Sequence, residues 1–299
     1  MTRPPPVAHV MPSILVVGYH EHDAGKTILT GSLVSILRGR GVDAVAVKPM
    51  AGVDLWESPW VLNEIKARGL VVSGDALKLA EASGGGVDPE VLNPVSLIYA
   101  PVDPSKVQWR PRIGEGNVEV LGRVSLCRED RVDTMHFINV EALNLIPNGL
   151  ASSVLEAGGR LKPYPFRASR ELAEKVVTGG FTAEIESCMS KVYSSHELVV
   201  VESNSDVAVP TPSSLGAEWV LVSGRGVVAV VEGERWAKAV EVLAGTGGVR
   251  ALTARDVLSL TGVKEVFQLP FLVEPIEGYS ESDLDPLLSY ILGRSGRLD

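Results

Sequence analysis

Residues 13 to 18, SILVVG, are an apolar run that ends on a glycine. A run this short, rich in Val and Ile and bounded by Gly, predicts a strand buried on both faces. From residue 26 the period changes. In KTILTGSLVSILR (26–38) Ile28, Leu29, Leu33, Ile36 and Leu37 recur at helical spacing, and Gly39 and Gly41 then stop the helix. DAVAVKP (43–49) returns to strand character. Strand, glycine-bearing loop, helix and strand make a βαβ unit, whose crossover is expected to be right-handed.

The same pattern continues further along. HELVVVES (196–203), AEWVLVS (217–223), GVVAVV (226–231) and EVFQLPFL (265–272) predict strands. Helices are expected over 73–82, 169–194, 234–244, 253–261 and 282–293. This alternation predicts an α/β fold with a doubly wound, mostly parallel sheet. The stretch 105–166 departs from it. GNVEVLGRVSLCRED and DTMHFINVEAL alternate apolar and polar residues around the charged turn REDRVD, a hairpin signature. The expectation is one α/β domain over 13–299, carrying a β-rich insertion at about 105–166 on the side of its sheet.

Composition narrows the function classes. The 299 residues are 45% hydrophobic and carry a net charge of −9, so no global basic footprint for nucleic acid exists. No apolar run reaches the ~18 residues that a membrane span needs. The Pro-rich start, residues 1–12, lacks the apolar middle of a signal peptide and is expected to be a disordered tail, with Met11 as an alternative start. Cys127 and Cys188 lie far apart, which argues against a disulfide framework or a Cys-rich zinc module and predicts reduced thiols in a cytoplasmic protein. Only two glutamines occur, a composition that fits a thermophilic source.

The candidate chemistry begins after the first strand, in GYHEHDAGKT (18–27). The common phosphate loop is G-x-x-x-x-G-K-[ST], but here His20 stands where its first glycine belongs, and the nearest upstream glycine is Gly18. The essential end is intact. Backbone N–H groups from His22, Asp23, Ala24, Gly25 and on to Ile28 are candidates to surround a phosphate. Lys26 is placed to neutralise phosphate oxygens, and Thr27 to bind Mg²⁺ through its hydroxyl. Mg²⁺ also needs carboxylates. Glu202 closes the apolar strand LVVVE, where an unpaired carboxylate is costly and a metal would explain it. Asp75 opens the helix in VSGDALKLA, either as a ligand or as an ordinary acid at a helix start.

Taken in order, these motifs resemble the dethiobiotin synthetase group of P-loop ATPases. That group has a lengthened loop ending in GKT, a strand ending in Lys-Pro (here AVAVKPMAG), and a Ser-Asp-Ala helix start (here SGDALKLA, with an extra Gly). An Asn-Pro segment (VLNPVSLIYAPVDP) and a strand ending in Val-Glu (LVVVESNSDVAVP) follow. The resemblance covers roughly residues 13–104 and 169–212. It implies a P-loop NTPase-type fold and an enzyme that uses ATP and Mg²⁺ to activate a small carboxylate or carbamate, as a ligase or small-molecule kinase. Lys26 would contact the phosphates. Thr27, Asp75 and Glu202 would hold Mg²⁺, and Lys48 would hold or polarise an anionic substrate. In the group, a carbamate formed from a diamine and CO₂ is phosphorylated and closes to a cyclic urea. By the same analogy a homodimer is expected, without nucleic-acid or membrane partners. The alternative is a nucleotide-switched regulatory ATPase or metal chaperone of the P-loop class.

The chain also departs from the group. After the strand glutamate the group has a Gly-Ala-Gly type loop, whereas this chain has Ser203-Asn204-Ser205-Asp206, whose side chains are expected to hinder close backbone approach. No clear match exists for the group's base-reading Asn loop. His20 and His22 bracket Glu21, either as transition-metal ligands or as loop-shaping polar residues. Arg110, Arg112 and His136 are either substrate-facing or, respectively, two solvated arginines and a satisfied core histidine. Trp56 and Trp60 either wall a pocket or pack elsewhere.

Overall fold

Among the described residues two β-sheets form: one of six strands, in the order Glu265–Gln268, Val227–Glu232, Trp219–Gly224, Ser13–Gly18, Leu198–Glu202 and Ala44–Val47, and one of five, in the order Met50–Asp54, Val95–Pro101, Asn117–Cys127, Val132–Asn139 and Phe166–Ala168. The computed structural model describes residues 13–110, 116–169, 171, 175–176, 180–247, 252–272 and 278–294. The predicted N-terminal tail lies outside them, as does Arg112. Two compact units result, one from residues 1–46 and 192–299, the other from residues 47–191.

In the first unit, β1 (Ser13–Gly18) is fully buried along its length, as its unbroken apolar run requires. It pairs in parallel with β8 (Leu198–Glu202) on one side and β9 (Trp219–Gly224) on the other. The sheet is not parallel throughout. β10 (Val227–Glu232) runs antiparallel to both β9 and β11 (Glu265–Gln268). β2 (Ala44–Val47) lies next to β8, so the strand that returns after α1 (Lys26–Gly39) skips one position in the sheet. That gap is filled by β8, which brings Glu202 beside Val16. Leu29, Leu33, Val34 and Leu37 bury one face of α1, whereas Ile28 and Ile36 are half-buried at its margins.

The second unit differs from a side insertion at 105–166. Its sheet is built on β3 (Met50–Asp54) and β4 (Val95–Pro101), which precede that stretch. The predicted hairpin is present as β5 (Asn117–Cys127) and β6 (Val132–Asn139), antiparallel, with the charged turn between them. β7 (Phe166–Ala168) completes the sheet in parallel with β6. A bulge between Ile98 and Tyr99 interrupts the β4–β5 register. The helices Val61–Arg68 (α2) and Asn148–Gly158 cover one face, contributing Val61, Leu62, Ile65, Val154 and Ala157 to a core shared with Ile98, Leu121 and Ile138. On β5, Gly122 makes room for the Phe137 ring, since a Cβ there would sit 2.1 Å from its tip.

Two expectations are corrected. The helix expected over 169–194 is broken: residues 180 and 181 form a turn in which the Gly180 N–H donates to Lys175 O at 2.7 Å, and a new helix starts at Thr182 and runs to Ser195. A glycine pair at 179–180 favours such a stop over continuation. The cysteines are not reduced thiols but a disulfide, Cys127–Cys188. The helix Thr182–Ser195 docks on the end of β5, where the Cys127 N–H donates to Ser187 Oγ at 3.0 Å. Sequence separation of 61 residues carried no hint of that docking.

Candidate functional site

The loop joining β1 to α1 is held from two sides. The Tyr19 N–H donates to Ser223 O at 2.8 Å, and the Ser223 hydroxyl donates to Ala24 O at 2.6 Å. Ser223 stands opposite Gly18 at the end of β9, so the sheet itself fixes both loop ends. Asp23 (φ 54°) and Gly25 (φ 76°) take left-handed backbone conformations. Gly25 is the N-cap of α1 and no side chain caps the helix. Leu29 is the first residue whose N–H returns to the cap carbonyl, at 3.0 Å. Among the described residues no acceptor receives the N–H groups of Gly25, Thr27 or Ile28. A helix start with donors so disposed attracts anions. His22, Glu21 and Asp23 are exposed, and His22 Nε2 lies 3.6 Å from Glu21 Oε1. His20 is half-buried, edge-on to the Tyr19 ring.

The two residues after Gly25 point to the neighbouring strand. Lys26 is 9% exposed, and its ammonium donates to Ser205 O at 2.6 Å. Thr27 donates its hydroxyl to Glu202 Oε1 at 2.8 Å, and Glu202 is wholly buried. Adjacency of β1 and β8 produces this contact, because the strand ending in Glu202 runs parallel to the one that feeds the loop. A hydroxyl and a carboxylate together are hard oxygen donors, the set that suits Mg²⁺, an ion that keeps several waters and takes few protein ligands.

The loop after Glu202 is unlike its expectation in one respect. Ser205 itself adopts φ 50°, a conformation glycine favours. Close approach is made possible from the other side: a Cβ on Gly18 would lie 2.8 Å from Lys26 Nζ, 2.9 Å from His20 O and 3.0 Å from Ser205 O. Sequence reasoning named Ser205 only as a side chain in the way and did not single out Ser223; their roles run through a backbone carbonyl and a hydroxyl or carbonyl, which leave no compositional mark.

In the second unit, Lys48 and Asp75 are brought together. Lys48 is buried, and its Nζ donates to Asp75 Oδ2 at 2.5 Å. Asp75 lies in the first turn of α3 (Gly74–Ala82), whose cap is Ser73, accepting from the Ala76 N–H. Thus the second carboxylate of the implied metal set neutralises a lysine here. The extra glycine of SGDALKLA has a physical reason: a Cβ on Gly74 would be 2.8 Å from the Trp60 ring. Trp60 is half-exposed over this helix start, whereas Trp56 is three-quarters exposed.

His136 is a satisfied core histidine. Its Nε2 accepts from the Val71 N–H at 3.4 Å, and its Nδ1 faces Pro163 O at 2.9 Å. Burial, reinforced by the charge of Arg123 and opposed by the bond to Pro163, lowers its pKa from 6.5 to about 4. Arg123 beside it is wholly buried and was not foreseen, because a lone Arg in an alternating strand looks like a solvent-facing residue. Burial lowers its pKa to about 10, partly offset by Glu90, so it stays charged at neutral pH. Arg110 is exposed. Among the described residues no three His, Cys, Asp or Glu side chains gather as a metal cluster, and no helix is long and apolar enough to cross a membrane.

No protein-family model matches the chain, and neither the curated proteins nor the solved structures contain a match to it.

Proposed function

We propose that the chain is an ATP- and Mg²⁺-dependent enzyme of the P-loop class, resembling dethiobiotin synthetase, that activates a small carboxylate or carbamate by phosphorylation. One observation carries this reading: the Thr27 hydroxyl lies on the buried Glu202 carboxylate at 2.8 Å, directly after a lysine and an uncapped helix start. A buried carboxylate that holds a threonine hydroxyl next to anion-seeking N–H groups has an economical explanation in a cation-bridged polyphosphate. Thr27 and Glu202 would hold Mg²⁺, which when bound neutralises charge on the phosphates. The N–H groups at 25–28 would orient the phosphate chain, and Lys26 would exchange Ser205 O for phosphate oxygens. Phosphoryl transfer asks mainly for such positioning and charge neutralisation. Lys48, balanced by Asp75, is the candidate to hold the anionic acceptor.

Calorimetry with ATP and Mg²⁺ on the wild type and on Lys26→Ala tests the nucleotide step; a wild type that binds no nucleotide defeats the proposal. Stimulation of ATP turnover in a metabolite screen tests the enzyme step, and a screen without stimulation counts against it. The rival, a nucleotide-switched ATPase or metal chaperone, has the exposed Glu21–His22 pair in its favour. It predicts turnover that responds to a protein partner or transition metal and not to a metabolite.

A further inference from the structure

We infer that Arg123 and Asn93 are positioning residues for the Lys48–Asp75 pair: one buried guanidinium braces the two chain segments that carry its two halves. The inference rests on reading that pair as the acceptor-holding element, and its geometry is independent of what the acceptor is.

On the lysine side the brace runs through Asn93, which is fully buried. Asn93 Nδ2 donates to Lys48 O at 2.7 Å and to Val95 O at 2.9 Å. The Lys48 N–H donates to Leu92 O at 2.9 Å, so both backbone groups of Lys48 are tied to the segment 92–95. Arg123 Nη2 in turn donates to Asn93 O at 2.5 Å and to Asn93 Oδ1 at 3.3 Å. The second contact orients the amide, because an oxygen facing the guanidinium leaves the NH₂ facing Lys48.

On the aspartate side Arg123 Nε donates to Val71 O at 2.7 Å. Val71 stands two residues before Ser73, the cap of the helix whose first turn carries Asp75. The third arm, Nη1, donates to Ser125 Oγ at 2.8 Å. From there a chain continues to Thr134 Oγ1 at 3.2 Å and to Glu90 Oε2 at 3.0 Å. Since Thr134 donates to Glu90, its oxygen is left to accept from Ser125, and every proton in the chain points away from Arg123. The positive charge is thereby connected to a carboxylate that it does not touch.

A wholly buried arginine is expensive, and apolar packing would serve stability as well. Fixing geometry is the function left to it. Its planar fork of five donors reaches three separate segments at once, which a lysine ammonium does not.

The test uses the full-length protein and the rate at which an amine-reactive ester modifies each lysine, read by peptide mass spectrometry. In Arg123→Met, Lys48 should be modified about tenfold faster, the size of effect expected when a coupled buried contact is lost. Lys66, Lys78, Lys106 and Lys162 of the same unit should keep their wild-type rates. Asn93→Ala, which removes the amide bonds to Lys48 O and Val95 O and the Oδ1 contact with Arg123 but leaves the guanidinium on Val71 O, Asn93 O and Ser125 Oγ, should raise Lys48 alone and provides the answer should Arg123→Met fail to fold. Arg123→Lys should fall between. Unchanged Lys48 protection in a folded variant, or a uniform rise over all lysines, overturns the inference. Lys48→Met separates this from the function proposed above. If metabolite-stimulated turnover survives Lys48→Met, the acceptor reading fails, while the labelling result stands or falls by itself.

Discussion

Arg123 and His136 face each other directly across β5 and β6, and between them they hold both polar groups of the Val71 backbone, Arg123 at the carbonyl and His136 at the N–H. The acceptor role requires His136 to be neutral at Nε2, and its pKa near 4 ensures that it is.

Stability should therefore fall with acid. The unfolded chain takes up a proton near pH 6.5 that folded His136 refuses until about pH 4. The stabilisation is complete above 6.5 and is lost as pH falls from there to 4, amounting to roughly 3 kcal/mol at the acid end. Urea unfolding midpoints at a series of pH values measure this. The slope between pH 6.5 and 4 should flatten in His136→Gln, whatever that variant's absolute stability. An equal slope in both proteins would contradict the assignment.

Gly18→Ala should weaken both the fold and the proposed nucleotide binding. The added methyl meets Lys26 Nζ at 2.8 Å and two carbonyls at 2.9 and 3.0 Å, so the lysine and the loop must shift. An overpacking cost of about 1–3 kcal/mol and an affinity loss of about tenfold or more are expected. Calorimetry beside thermal unfolding separates the two effects.

Glu202→Gln should abolish the Mg²⁺ dependence of nucleotide binding while keeping the Thr27 contact, because an amide oxygen still accepts that hydroxyl. Titrating ATP with and without Mg²⁺ gives the answer. A variant whose Mg²⁺ response matches the wild type removes Glu202 from the proposed metal set.

The Cys127–Cys188 bridge predicts no free thiols in denatured protein kept from reductant, and two after reduction. Both sulfurs are buried, so reduction of the native protein should be slow. Closing a loop of 61 residues should contribute about 2–4 kcal/mol. Thiol titration and denaturant unfolding, with and without reductant, check both statements.

Trp60 and Gly74 should couple. Gly74→Ala displaces the ring edge, at a cost of about 1 kcal/mol, and Trp60→Ala should remove that cost. A double-mutant cycle on unfolding free energy measures it, with Trp60 fluorescence as a local reporter.

The first unit was largely legible in the sequence because its signals are local. An unbroken apolar strand, an amphipathic helix and a glycine loop each declare themselves within twenty residues. Lys26, Thr27 and Glu202 were named from motif and strand position, and Thr27 with Glu202 do meet. The second unit was legible at its hairpin and at the helix expected over 73–82, which forms as Gly74–Ala82. β4 was hidden between Pro94 and Pro101, which look like turn punctuation, and α2 followed a Trp- and Pro-rich segment without a clear cap. Pairings over long separations were invisible: Cys127 with Cys188, Arg123 with Val71, Lys26 with Ser205. Each depends on where elements dock, and period and composition say nothing of docking.

The hold on Val71 moves a constraint along the chain. Arg123 and His136 bond main-chain atoms, which every residue other than proline supplies in the same place. Position 71 should therefore tolerate any side chain of suitable bulk in that core, while the demand for chemical identity falls on positions 123 and 136, more than fifty residues away. A saturation library would find positions 123 and 136 intolerant of replacement and position 71, which they secure, comparatively permissive.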